Sequence, residues 1–129
     1  MAASSEEDWV TDFDEWLALT FARTGGFTVL IVLVDIGETT AGPLASSYLH
    51  VIGDDTRWPD MVRLFEEAGA AWNGAAFFQA DRAGLVTDAV ARQRLQELTR
   101  HIDGDRSLLK HADFFDSRGL RLKIEAVAS

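Results

Sequence analysis

Apolar residues change their spacing several times along this chain, and each change marks an element. Trp9, Phe13, Trp16, Leu17 and Thr20 or Phe21 recur at three- and four-residue intervals, so residues 6–23 predict an amphipathic helix. Ser4 or Ser5 can cap it, with Glu7 or Asp8 three positions on in the capping-box arrangement, and Gly25-Gly26 ends it. Residues 1–5 are then a flexible N-terminus. Phe27–Asp35 is apolar at nearly every position, with Val29, Ile31 and Leu33 on one face and Leu30, Val32 and Val34 on the other. A strand of that kind is covered on both sides and belongs in the middle of a sheet. Leu44–Ile52 instead alternates, with Ala45, Ser47, Leu49 and Val51 against Ser46, Tyr48 and His50, which predicts a half-exposed strand joined to the first by a hairpin loop.

The second half repeats the same alternation of periods. Pro59 opens a helix whose buried stripe is Met61, Leu64, Phe65 and Ala68. Ala75–Ala80 predicts a strand with Phe77 and Phe78 on opposite faces. Thr87 caps a third helix over Asp88–Asp103, lined by Ala91, Leu95, Leu98 and Ile102 and ended by Gly104. Ser107–Phe115 fits a helical turn or a strand, Asp116–Gly119 a turn, and Leu120–Val127 a strand with Leu120, Leu122, Ile124 and Ala126 facing in. The order is α-β-β-α-β-α-(β)-β. It predicts one α+β domain over residues 6–129, a mixed and mainly antiparallel sheet of four or five strands packed with three helices. One helix layer leaves a sheet face that a third layer or a second subunit must cover, so a homodimer is one of the two solutions.

Composition narrows the class. With 129 residues, 47% apolar and 26% charged, the chain can bury a core without metal or disulfide support. It has no cysteine, which removes disulfides, thiolate metal sites and cysteine nucleophiles. The longest apolar run is too short to cross a bilayer and the first residues are acidic, so a cytoplasmic protein without membrane attachment is expected. The net charge of −9 lies wholly in residues 1–60, which hold eleven acids against two arginines; the remainder balances ten against ten. That distribution disfavours nucleic acid and favours a basic protein partner.

Two stretches carry candidate chemistry. "VDIGETTAG" ends the first strand on Asp35, with Gly37 and Thr39 or Thr40 behind it. Locally this resembles the first phosphate loop of the actin-like ATPases and sugar kinases, in which the aspartate serves a metal and the loop holds phosphate. The hairpin of which it is part also resembles the start of a ribonuclease H-like nuclease domain. That resemblance implies a magnesium-dependent phosphoester hydrolase centred on Asp35, with Asp81 as a second metal ligand and Asp113 or Asp116 completing a carboxylate cluster. The same residues are also ordinary hairpin-loop formers. The other stretch is aromatic. Trp58 and Trp72 fall in expected loops, and Trp58 stands among Asp54, Asp55 and Asp60, an arrangement suited to anchoring a protein partner. No nucleophile elbow, P-loop or dinucleotide fingerprint is present. The leading expectation is a protein-interaction or regulatory module with an acidic N-terminal half and neither catalytic centre nor cofactor; the hydrolase, with magnesium, is the alternative.

Overall fold

A computed structural model describes residues 11–37, 41–69, 71–82 and 84–122. Its elements are α1 (Asp12–Thr24), β1 (Phe27–Ile36), β2 (Ala41–Val51), α2 (Trp58–Glu66), β3 (Gly74–Gln79), α3 (Asp88–Gly104), a 3-10 helix (Arg106–His111) and β4 (Asp113–Asp116). The strands form one sheet in the order β2-β1-β3-β4, antiparallel at every pairing. The fold is α+β, as the hydrophobic pattern predicts, with three α-helices and four strands among the described residues.

β1 lies inside the sheet because both its faces are apolar. Phe27, Val29, Ile31 and Leu33 enter one core with Phe13, Trp16 and Leu17 of α1, Trp58, Met61 and Phe65 of α2, and Phe77 and Phe115. Val32 and Val34 enter a second core with Ala76, Phe114, Ile102 of α3 and Leu109 of the 3-10 helix. A third layer, not a second subunit, therefore covers the other face of the sheet. The first core is held by aromatic rings: Phe13 stands 5.1 Å from both Trp58 and Phe77, and 5.5 Å from Phe115 in an edge-on contact. Each such ring buried from water contributes about 1.5–3 kcal/mol, and tilted or edge-on pairs add about 0.5–1.5 kcal/mol.

Three boundaries differ from the expectation. α1 begins at Asp12, capped by Thr11: the Thr11 hydroxyl accepts from the Asp14 N–H, and the Asp14 carboxylate accepts from the Thr11 N–H. The cap expected at Ser4 or Ser5, like Trp9, lies outside the described residues. The segment 107–115 is helical turn and strand in succession, because the Asp105 side chain accepts from the Ser107 N–H and starts the 3-10 helix. Beyond β4 the chain turns back at Gly119 (φ +81°), Phe115 bridges Arg121, and the Leu122 N–H donates to Phe114. The rest of the expected last strand, from residue 123, lies outside the described residues. Leu120, expected to face in, is 39% exposed, because it sits in the reversal before the pairing resumes.

Candidate functional site

The carboxylates of the hydrolase reading do not meet. Asp35 is exposed near the end of β1, opposite Gly42. Asp81 follows β3, which runs the other way: the Ala80 N–H donates to the Thr28 carbonyl. Eight strand steps thus separate Asp35 from the level of Asp81, about 27 Å at ~3.4 Å per residue. Asp116 pairs with Gly74, itself opposite Val34, so it shares the Asp35 end of the sheet but lies two strands across, about 10 Å away. Asp81, Asp113 and Asp116 also have local partners. Asp81 faces Arg94 at 3.6 Å and Asp113 faces Arg121 at 3.0 Å. Asp116 accepts from the Arg118 and Leu120 N–H groups and pairs with Arg118; burial acts to raise its pKa, and those hydrogen bonds outweigh it and bring it below the usual value. Among the described residues no three His, Cys, Asp or Glu side chains are placed to hold a metal ion. Glu38, Thr39 and Thr40 lie outside the described residues.

The aromatic anchor is also relocated. Trp58 is not in a loop: it is the first residue of α2, only 4% exposed, with its ring in the first core. Its indole N–H donates to the Ser117 carbonyl at 3.1 Å, and its backbone N–H donates to the buried Asp14 carboxylate at 2.7 Å. Trp72 does sit in a connector but is half-buried, its ring 5.1 Å from Phe65 and 6.1 Å from Trp58. Much of the N-terminal acidity is spent on local structure. Asp60 accepts from the Arg57 N–H and pairs with Arg63, while Asp12 accepts from the Arg121 N–H. Asp54 and Asp55 are exposed in the turn before α2. An open cleft of about 390 Å³ between α1 and β4 is lined by Asp12, Glu15, Arg23, Asp113 and Arg121, charges that largely compensate one another.

A polar array that the sequence reading missed joins β1, β2 and α3. Thr28 is completely buried, the one polar residue in the run Phe27–Val34. Its hydroxyl accepts from the Val86 N–H at 3.0 Å and lies 2.8 Å from Nδ1 of His50, whose Nε2 lies 2.6 Å from Asp88. The carboxylate has no proton to give, so Nε2 donates to it, while Nδ1 and the Thr28 hydroxyl form the second hydrogen bond of the array. His50 is not a free surface residue, as its place on the strand suggests; its side chain is 31% exposed. The hydrogen bond from His50 holds the Asp88 carboxyl below its ordinary value of 3.8. The order hydroxyl–imidazole–carboxylate is that of a nucleophilic triad. Here the hydroxyl is sealed from solvent and already engaged, so the array ties the first turn of α3 to the β1–β2 pair. Arg92 adds a second tie, donating to the Tyr48 hydroxyl at 3.2 Å. The signal was a lone threonine in an apolar strand, which needs a partner.

Among the described residues these ties leave one side of β2 open. β2 is an edge strand of eleven residues, and residues 41–52 contain no Asp, Glu, Lys or Arg. Hydrogen-bond parity shows which of its backbone groups face outward. The Thr28 amide and carbonyl both turn towards the β3 side, to Gly84 and Ala80. Antiparallel pairs alternate, so His50, opposite Thr28, turns its own N–H and C=O away from β1, as do Tyr48 and Ser46, opposite Leu30 and Val32. No described residue pairs with those groups. A hollow opens on each face beside the small residues Ala45, Ser46 and Ser47. One of about 30 Å³ is walled by Leu64, Phe65 and Ala68, and one of about 170 Å³ by Val32, Leu44 and Thr99. Pro43 and a bulge between Leu33 and Val34, at Leu44, protect only the start of the strand. No helix among the described residues is long and apolar enough to cross a membrane.

Fold and site together define an α+β domain with a three-layer core and an uncharged open sheet edge. No protein-family model matches the chain, and neither a curated protein nor a solved structure matches it.

Proposed function

We propose that the protein works as an interaction module that binds a protein segment by strand addition at the β2 edge, rather than by catalysis. The observation that carries this reading is the row of outward N–H and C=O groups of Ser46, Tyr48 and His50 on a strand without charged residues. Monomeric proteins blunt long edges with lysine, proline or bulges, because an open edge templates pairing with another chain. In strand addition the main chain supplies affinity and pockets for alternate side chains supply specificity. The hollows beside Ala45–Ser47 suit the second requirement, and the Thr28–His50–Asp88 and Tyr48–Arg92 ties, which hold α3 against β2, suit the rigidity such a template needs.

The reading is tested by screening extended peptides with alternating apolar residues against dilute protein and against Ser46→Pro. The Ser46 N–H faces outward, so proline there removes an edge donor and leaves the β1–β2 ladder intact. Binders lost in Ser46→Pro support strand addition. A screen without binders, or binders indifferent to the substitution, overturns it.

A further inference from the structure

The side chains along β2 are graded, and the gradient says what the edge fits. Ala45, Ser46 and Ser47 are small; Leu49 and His50 are large; exposed Leu44 and Ile52 stand at the two ends, 44% and 77% accessible. We infer that the edge pairs with a second copy of itself, β2 against β2 about a two-fold axis at Tyr48, forming one continuous eight-stranded sheet across the dimer. The inference rests on the strand-addition reading and names its partner.

The register follows from backbone parity. Ser46, Tyr48 and His50 are the successive outward-facing residues of β2 beyond the bulge, and an antiparallel pairing that engages all three sets Tyr48 opposite the second copy's Tyr48 and Ser46 opposite its His50. Each of these pairs exchanges two hydrogen bonds. The intervening pair is Ser47 opposite the second copy's Leu49, and Leu44 comes beside its Ile52. At Ser46–His50, Ser47–Leu49 and Ala45–Val51 a small side chain therefore meets a larger one, and the hollows beside Ala45–Ser47 lie where the large half of the second strand arrives. Reversing the strand gives this match because the gradient runs one way along it. Such self-complementarity is what an isologous two-fold contact requires. The absence of charge in residues 41–52 matters equally, since like charges brought face to face across the axis would oppose pairing. Leu44 and Ile52, two of the few large apolar side chains exposed on the described surface, become mutually covered.

The test uses sedimentation over about a hundredfold range of protein concentration, because mass action makes dimerisation concentration-dependent. Wild type is expected to pass from monomer to dimer. Ser46→Pro and Ser46→Lys are expected to weaken association at least tenfold, with far-UV circular dichroism and urea midpoint retained. Since the chain has no cysteine, the register is read separately. Under mild oxidation Ser47→Cys and Leu49→Cys should cross-link when mixed, because directly opposed residues of a non-hydrogen-bonded pair approach within disulfide reach, and neither should dimerise alone. A wild-type protein that stays monomeric, a dimer that ignores both Ser46 substitutions, or a mixture that does not cross-link overturns the inference. Monomeric protein that nonetheless captures peptides in a manner sensitive to Ser46→Pro removes the second copy and leaves strand addition standing. A dimer indifferent to Ser46, together with peptides equally indifferent, removes both.

Discussion

Replacing Trp58 by alanine is the sharpest test of the architecture, because a residue expected in an exposed loop is instead a centre of the first core. Its side chain is 4% exposed, with ring centroids of Phe13, Phe65, Trp72 and Phe115 between 5.1 and 6.3 Å away. Truncation removes the ring contacts, leaves a cavity between α1, α2 and β4, and strands the Ser117 carbonyl. Buried Trp-to-Ala changes of this kind cost about 3–5 kcal/mol. The total stability of a domain this size is about 5–15 kcal/mol, so the variant should be marginal but measurable. With a denaturant slope of about 2 kcal/mol per molar urea, the midpoint should fall by about 2 M. Far-UV circular dichroism is the right signal, since the substitution removes a fluorophore. Trp58→Phe keeps most of the ring and loses chiefly the hydrogen bond to Ser117, so about 1–2 kcal/mol is expected. If Trp58→Ala costs less than about 1 kcal/mol, as surface substitutions usually do, the ring is not in the core and the packing of α2 described above is wrong.

Other outcomes follow from single contacts. Asp14→Ala removes half of the capping box and leaves the buried Trp58 N–H without its acceptor, so a loss of about 2–3 kcal/mol in urea unfolding is expected. Gly119→Ala should destabilise by more than about 1 kcal/mol, because residue 119 has positive φ and a Cβ there would lie 2.7 Å from the Trp58 ring; a neutral result would mean the turn is built differently. The Asp88 carboxyl is held below 3.8 by His50, so its contribution to stability is present above that pH and is lost as pH falls through the lower folded value. Thermal unfolding followed below pH 4 should therefore lose stability less steeply in His50→Gln than in wild type. Asp35→Asn should change stability by less than about 0.5 kcal/mol, and amide shifts on magnesium addition should not cluster at Asp35 and Asp81, which stand at opposite ends of the sheet.

The hydrophobic pattern was a good guide wherever one element decided the matter. The run Phe27–Val34 requires two covered faces, and it received them. Thr87 and Pro59 marked helix starts because capping is chemistry within four residues. The residues whose setting differs from the expectation are those whose environment is supplied from far along the chain. Trp58 is buried because Phe13, Phe115 and Ser117 close over it, contacts spanning up to 59 positions in sequence. His50 looks solvated on its own strand and is half-buried only because Asp88, 38 residues on, starts a helix above it. Asp35 and Asp81 both end strands, so each looked like a metal ligand at a strand terminus. Antiparallel pairing sends consecutive termini of that kind to opposite ends of the sheet, whereas a parallel crossover would have gathered them. Direction, not residue type, decided that cluster.

The same consideration explains why the β2 edge was invisible in the sequence. Side chains report only which face they occupy, with a period of two, and Leu44–Ile52 announced a half-exposed strand by that rule. The backbone has its own alternation, in which every second residue turns its N–H and C=O to the opposite neighbour. Which residues are free at an edge follows only when a bond on the far side of the adjacent strand is known. Here that bond is from the Ala80 N–H to the Thr28 carbonyl, which fixes the parity of β1 and therefore of β2. The side chains of Ser46, Tyr48 and His50 lie on the face that α3 covers, and the latter two are held by it through Arg92 and Asp88. Their backbone groups are thus presented by residues whose side chains are anchored. A partner strand that pairs with this edge meets a template with little left to order, which lowers the entropic cost of binding. Breaking the His50–Asp88 contact should therefore weaken edge pairing without touching the edge itself, and that dependence separates a strand-addition surface from an incidental exposed strand.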